Sequence, residues 1–215
     1  MKRIILLVIP VLFFFSCKKE SGEIDISGQL FDPNAGNYVA GATVSIQANG
    51  VVDGVYNAGY TTIASGTTDA NGKFSFTIDE SAYDSFRFNF IKDGYYISQE
   101  VHSAGSIDPE NPFNGSFNIY SKSILKVRVQ NTTPFDALDE ITFYFSNPPS
   151  NCSECCSTDP IQINGMSIDS TIYCSSYGSY NLIISYSYTK NSANFTYNDT
   201  VLTVPFDTTY HNISF

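Results

Sequence analysis

Apolar and polar residues alternate along most of this chain. Ile24, Ile26, Gly28 and Leu30 take every second position of Glu23–Phe31, and Val44 and Ile46 do so within Ala42–Ala48. Phe74, Phe76 and Ile78, then Phe86, Phe88 and Phe90, form two further stripes. A period of two places such residues on one face of a strand, where aromatic and β-branched side chains pack against a second layer. Breakers separate the stripes at Asp32–Asn37, Asp69-Ala70-Asn71-Gly72 and Lys92-Asp93-Gly94. In the second of these, Asp and Asn bond their own backbone and Gly takes positive φ freely, so Thr61–Thr68 should reverse into Lys73–Ile78. Asn49–Tyr60, rich in Gly and Asn, reads as a long exposed loop, and Ser103–Gly115 as a boundary or long connection. Phe117–Tyr120, Ile124–Gln130, Ile141–Ser146, Leu182–Tyr188, Val201–Phe206 and Tyr210–Phe215 supply later strands. No 3.6-residue apolar period is sustained beyond the first 16 residues. The pattern predicts an all-β chain of two β-sandwich domains, residues 23–120 and 121–215, each long enough for its own core.

The first half carries a family resemblance. Gly28-Gln29-Leu30-Phe31-Asp32, Gly41-Ala42-Thr43-Val44, Thr68-Asp69-Ala70-Asn71-Gly72-Lys73-Phe74 and Gly94-Tyr95 occur in that order. Together they resemble the carboxypeptidase regulatory-like domain. The resemblance covers residues 23–120 and implies a transthyretin-like, Ig-like sandwich of seven strands. Val39-Ala40 stands where that family usually has Pro-Leu, and Asn49–Ser65 is longer than usual. Residues 121–215 resemble no family and are read from pattern alone.

The start of the chain has a different character. Met1-Lys2-Arg3 is basic and Ile4–Phe15 is an apolar run interrupted by Pro10. A bilayer crossing needs about 20 residues, so the run reads as a signal peptide of residues 1–16. It ends at Ser16-Cys17, followed by polar Lys18-Lys19-Glu20-Ser21-Gly22. This resembles a bacterial, Bacteroidota-type lipoprotein signal. The resemblance implies that Cys17 becomes a lipidated first residue, that residues 17–22 form a tether, and that the protein hangs from the outer membrane, periplasmic or surface-exposed.

Charge and composition narrow the functions. The chain has 11 basic and 21 acidic side chains and a formal charge of −10, so a phosphate backbone is repelled and nucleic acid is not an expected partner. Cys152, Cys155, Cys156 and Cys174 point to disulfides in an oxidising compartment. A Cys155–Cys156 bridge would be strained, so Cys174 should pair with one of the clustered three and the other two with each other. A four-thiolate zinc site is the rival reading, but adjacent cysteines suit a tetrahedron poorly.

Neither His102 nor His211 has the spacing of a catalytic or metal-binding set. Asp69 and Asn71 fit a turn better than a calcium loop, and Asp79-Glu80 and Asp136/Asp139-Glu140 read as solvated turn carboxylates. No catalytic residue, cofactor or metal is expected. A hydrolase would require a cleft gathering a histidine with carboxylates.

The expected role is non-catalytic binding or assembly at the envelope, with another envelope protein or a glycan as partner. The alternative is a carbohydrate-binding accessory protein of a glycan-uptake system, with Tyr38, Tyr56, Tyr60 and Tyr96 stacking on sugar rings. Asp169-Ser170-Thr171, Asp199-Thr200-Val201 and Asp207-Thr208-Thr209 resemble an O-glycosylation motif, which would require exposed hydroxyls. Tyr210–Phe215 resembles the last strand of an outer-membrane barrel but is expected to be a sandwich strand.

Overall fold

A computed structural model describes residues 22–52, 54–105 and 107–215; Cys17, the signal segment and most of the tether lie outside them. The described residues form fifteen strands and no helix. The N-terminal half holds β1 (Glu23–Asp32), the short β2 (Asn37–Tyr38), β3 (Thr43–Val52), β4 (Val55–Thr67), β5 (Lys73–Asp79), β6 (Tyr83–Ile91), β7 (Ser98–Ser103) and β8 (Phe113–Asn118). The C-terminal half holds β9 (Lys122–Gln130), β10 (Glu140–Phe145), β11 (Ile161–Asn164), β12 (Asp169–Tyr177), β13 (Asn181–Lys190), β14 (Ala193–Leu202) and β15 (Thr208–Ser214).

The two halves share one topology. In the first, β1 pairs antiparallel with β5 and parallel with β8, and a second sheet runs β4-β3-β6-β7. In the second, β9 pairs antiparallel with β12 and parallel with β15, and a second sheet runs β11-β10-β13-β14. Setting β2 aside, the seven strands of each half follow the same order: first with fourth and seventh, then third-second-fifth-sixth. The chain is therefore a tandem structural repeat. Its four separate sheets do not close into one barrel, and β15 is a sandwich strand.

Alternation explains both cores. Ile24, Ile26, Leu30, Val44, Ile46, Phe86, Phe88, Phe90 and Phe117 are buried in the first. Leu125, Val127, Val129, Ile141, Phe143, Leu182 and Ile184 are buried in the second. Turn chemistry closes the β4–β5 reversal as expected. Asp69 Oδ1 accepts from the Asn71 and Lys73 amides at 2.8 and 2.7 Å. Gly72 follows with φ +71°, and a Cβ there would stand 2.6 Å from the Leu30 carbonyl oxygen.

One expectation about connections needs correction. Asn49–Tyr60 is largely strand rather than loop, because β3 and β4 continue as an antiparallel arm with register shifts near Ile46 and Ala48. Val55, Tyr56, Asn57, Ala58 and Gly59 are all exposed, so neither face of that arm carries the alternation that marks a half-buried strand. Ser103–Gly115 connects β7 to β8 within the first sandwich, where Ala104 is buried and Ile107 packs on the core.

The chain passes between the halves at residues 119–122, and both halves grip it. Ser121 N donates to the fully buried Asp32 Oδ2 at 3.1 Å, Tyr96 N to Tyr120 O, Lys122 N to Gly94 O, and Gly178 N to Ser121 O. The Phe206 ring packs against Tyr95 at 5.2 Å and covers Gly94, where a Cβ would meet it at 2.8 Å.

A second buried carboxylate orders the β9–β10 connection. Burial opposes ionisation of Asp139, but the Phe135 amide, the Asn131 side-chain amide and the Asp136 amide outweigh it and hold its pKa below the usual carboxylate value. A depressed pKa contributes stability above the unfolded-state value that is lost as pH falls through the folded one. Asp139→Asn should therefore lower the melting temperature at neutral pH and flatten the loss of stability below about pH 4. Melting curves across pH 2–7 check this.

Candidate functional site

The four clustered cysteines are all paired, Cys152 with Cys155 and Cys156 with Cys174. This is one of the two arrangements left open by sequence, and it leaves no thiolate for zinc. Cys174 lies on β12, and Cys156 N donates to Ser175 O at 2.9 Å. The coil after β10 is thereby strapped onto β12 beside the passage between the halves.

The four tyrosines proposed as stacking residues are not gathered. Tyr38 packs on Phe31 at 5.2 Å. Tyr56 and Tyr60 lie on β4, where the Tyr56 hydroxyl faces Asp84 at 3.5 Å and the Tyr60 ring carries the Arg87 guanidinium at 4.2 Å. Tyr96 alone lies at the passage between the halves. Tyr38 on β2, Tyr56 and Tyr60 on β4 and Tyr96 before β7 thus have separate neighbours, so they do not build one sugar site together.

Tyr96 instead joins residues that pattern reading did not single out. The approach to β7, the crossing segment and the end of β12 bring Tyr96, Tyr120 and Tyr177 along one groove of about 440 Å³. Tyr120 and Tyr177 stack face to face at 4.2 Å and 5°, and Tyr96 packs on Tyr177 at 5.3 Å. The Tyr177 hydroxyl donates to Ser150 O at 2.9 Å, and the Tyr96 hydroxyl to Ser176 O at 3.3 Å. Burial raises the pKa of both phenols, so they stay neutral. Gln99, Asn118 and Asn151 add amides to the wall. Aromatic surface with amides and the Glu100 carboxylate, at an interface between two sandwiches, suits a polar ligand that carries no negative charge.

A second aromatic concentration closes the β13–β14 end of the second sandwich. Tyr186 stacks on Tyr197 at 5.5 Å, and Tyr188 on Tyr197 and Phe195 at 5.8 and 4.9 Å. Burial, reinforced by the Asp199 charge, pushes the Tyr186 phenol up to about 12. A raised phenol pKa contributes stability below the unfolded value of about 10 that is lost as pH climbs to about 12. Tyr186→Phe should therefore remove part of the alkaline loss of stability in that window, as read by melting temperature and phenolate absorbance.

The two histidines lie in different sandwiches, each beside one carboxylate. His102 packs edge-on to Phe88 with Glu100 at 3.6 Å, whereas His211 Nε2 lies 3.0 Å from Asp199 Oδ2 in the other sandwich. Of the three glycosylation-like motifs, Thr200 is exposed, while Ser170 and Thr208 are half-buried.

No protein-family model matches the chain, and no curated protein sequence matches it. Among solved structures it is similar to the Bacillus anthracis TIE protein, at 12% identity and TM-score 0.39 over 90% of this chain and 34% of that one. It thus spans about a third of that protein. It is also similar to the shaft pilin SpaA of Lactobacillus rhamnosus GG, at 9% identity and TM-score 0.33 over 90% and 97% of the two chains. A streptococcal ancillary pilin gives 12% and 0.36 over 89% and 62%. Likenesses this loose say nothing about what the chain binds.

Proposed function

We propose that this chain is a non-catalytic lipoprotein of the bacterial envelope, anchored through Cys17 and acting as a binding or assembly module. The observation that carries the reading is the apolar run ending at Ser16-Cys17, set a few polar residues before the first strand at Glu23. Lipids on Cys17 would hold the sandwiches within about 20 Å of the membrane, the reach of that tether. Two acyl chains or more give stable attachment where one does not. The separated histidines and fully paired clustered cysteines support a role without catalysis. The first half, with seven strands besides the two-residue β2, and its Asp69–Gly72 turn support kinship with carboxypeptidase regulatory-like domains.

Detergent-phase partitioning tests the anchor. Wild-type protein made in its native cell should enter the detergent phase, and Cys17→Ala should stay in the aqueous phase. Equal partitioning of the two would refute lipid anchoring. The second reading, a carbohydrate-binding accessory protein, is favoured by the groove of Tyr96, Tyr120 and Tyr177 at the passage between the halves. A neutral glycan retained by wild type and lost on Tyr177→Ala, with the fold intact, would support it.

A further inference from the structure

The outer face of the β12-β9-β15 sheet carries a side-chain row that the scaffold does not require. Tyr173, Lys126 and Tyr210 are direct cross-strand neighbours. The Lys126 ammonium lies 5.2 Å from one ring centroid and 5.3 Å from the other. Both tyrosines are well exposed, at 61% and 69%. Arg128, in the next row, is neutralised by two hydrogen bonds to Asp169 at 2.8 and 2.7 Å. Lys126 has no carboxylate partner among the described residues, in a chain of charge −10.

The tandem repeat supplies an internal comparison. The matching face of the first sandwich is β5-β1-β8, and its mid-strand row is Ser75, Ser27 and Asn114. The same topology therefore closes with small polar residues at these places. A lysine held between two exposed aromatic rings is extra to folding.

We infer that this row binds an anionic glycan, one whose sugar rings carry carboxylate or sulfate groups. Lys126 supplies attraction at this row against the general repulsion from a chain of charge −10, so ring stacking has to carry much of the binding. This rests on the reading of the chain as a binding module and names a ligand class for it. The tyrosines stand two strand spacings apart, about 10 Å, so each ring can take the C–H face of a sugar while the acid group turns toward Lys126. The cation is held in place by both rings before any ligand arrives. The flanking rows are Thr171, Arg128 and Asn212 on one side and Ser175, Ile124 and Thr208 on the other, so hydroxyl and amide groups that suit a hydroxyl-rich ligand surround the row with one exposed apolar side chain, Ile124, among them.

The test is calorimetric titration of the purified full chain with polygalacturonate and with dextran sulfate, using neutral dextran and polyglutamate as controls. At least one acidic polysaccharide should bind, and more weakly as salt is raised from about 20 to about 200 mM. Lys126→Gln, Tyr173→Ala and Tyr210→Ala should each weaken binding about tenfold with the melting temperature unchanged. Lys126→Arg should retain it. Binding of neither acidic polymer, equal binding of dextran or polyglutamate, or full binding by Lys126→Gln would overturn the assignment. An unlipidated Cys17 with binding intact would defeat the anchor alone, and lipidation without binding would defeat this inference alone.

Discussion

Phe117→Ala should destabilise the first sandwich by about 3–5 kcal/mol, the largest single-residue loss expected in the chain. Phe117 is 1% exposed, and its ring lies 4.7 Å from Phe90, 4.9 Å from Phe88 and 5.8 Å from Phe74. It reaches from β8 to rings on β5 and β6, so it ties the two sheets together. Truncation removes apolar burial and leaves a cavity that neighbouring rings, fixed on their strands, cannot readily fill. Urea titration followed by tyrosine fluorescence should show the midpoint falling sharply. A shift of under about 1 kcal/mol would mean that the ring cluster is not the core of that half.

Cys174→Ser should cost the second sandwich about 3 kcal/mol. The Cys156–Cys174 bridge closes a separation of 18 residues, and the chain-entropy account ties that length to the constraint lost from the unfolded state. Its loss also frees the coil that Cys156 holds against Ser175. The Cys152–Cys155 bridge spans only three residues, so replacing both of its cysteines by serine should cost less, about 2 kcal/mol. Melting temperatures of the two variants, taken under non-reducing conditions, should fall in that order. The reverse order would show that the short bridge, and not the long one, fixes the Cys-rich coil.

Much of this architecture was legible from alternation because one face of each core strand is buried and the other is wet. Ile24 and Ile26, Phe86, Phe88 and Phe90, and Leu125, Val127 and Val129 are all buried where the period of two put them. The pattern failed where a strand lies at a sheet edge. β12 turns Ser170, Ile172, Cys174 and Ser176 inward, a row with only one strong hydrophobe. The first eight residues of β14 include no buried side chain, so nothing there alternates between core and water. The Asn49–Tyr60 arm was missed for the same reason.

The tandem repeat was not legible at all. β9 to β12 reproduces the order of β1 to β5 without the Gly-Ala pair or the Asp-x-Asn-Gly turn, so the likeness is one of strand pairing alone. Candidate binding residues fared similarly. Tyr96, Tyr120 and Tyr177 lie far apart in sequence and meet only because residues 119–122 are gripped by both halves. The Tyr173, Lys126 and Tyr210 row depends on the register of β12 and β15 on β9. Register is set by tertiary pairing, which local pattern does not contain.

Two β-sandwiches held at the membrane by a modified cysteine have a distinctive intact mass. Protein taken from membranes of its native cell should begin at Cys17 and be heavier than its residues by a diacylglyceryl group and a further acyl chain. A chain that retains residues 1–16, or one that begins at Cys17 with no added mass, would rule out lipid anchoring at Cys17.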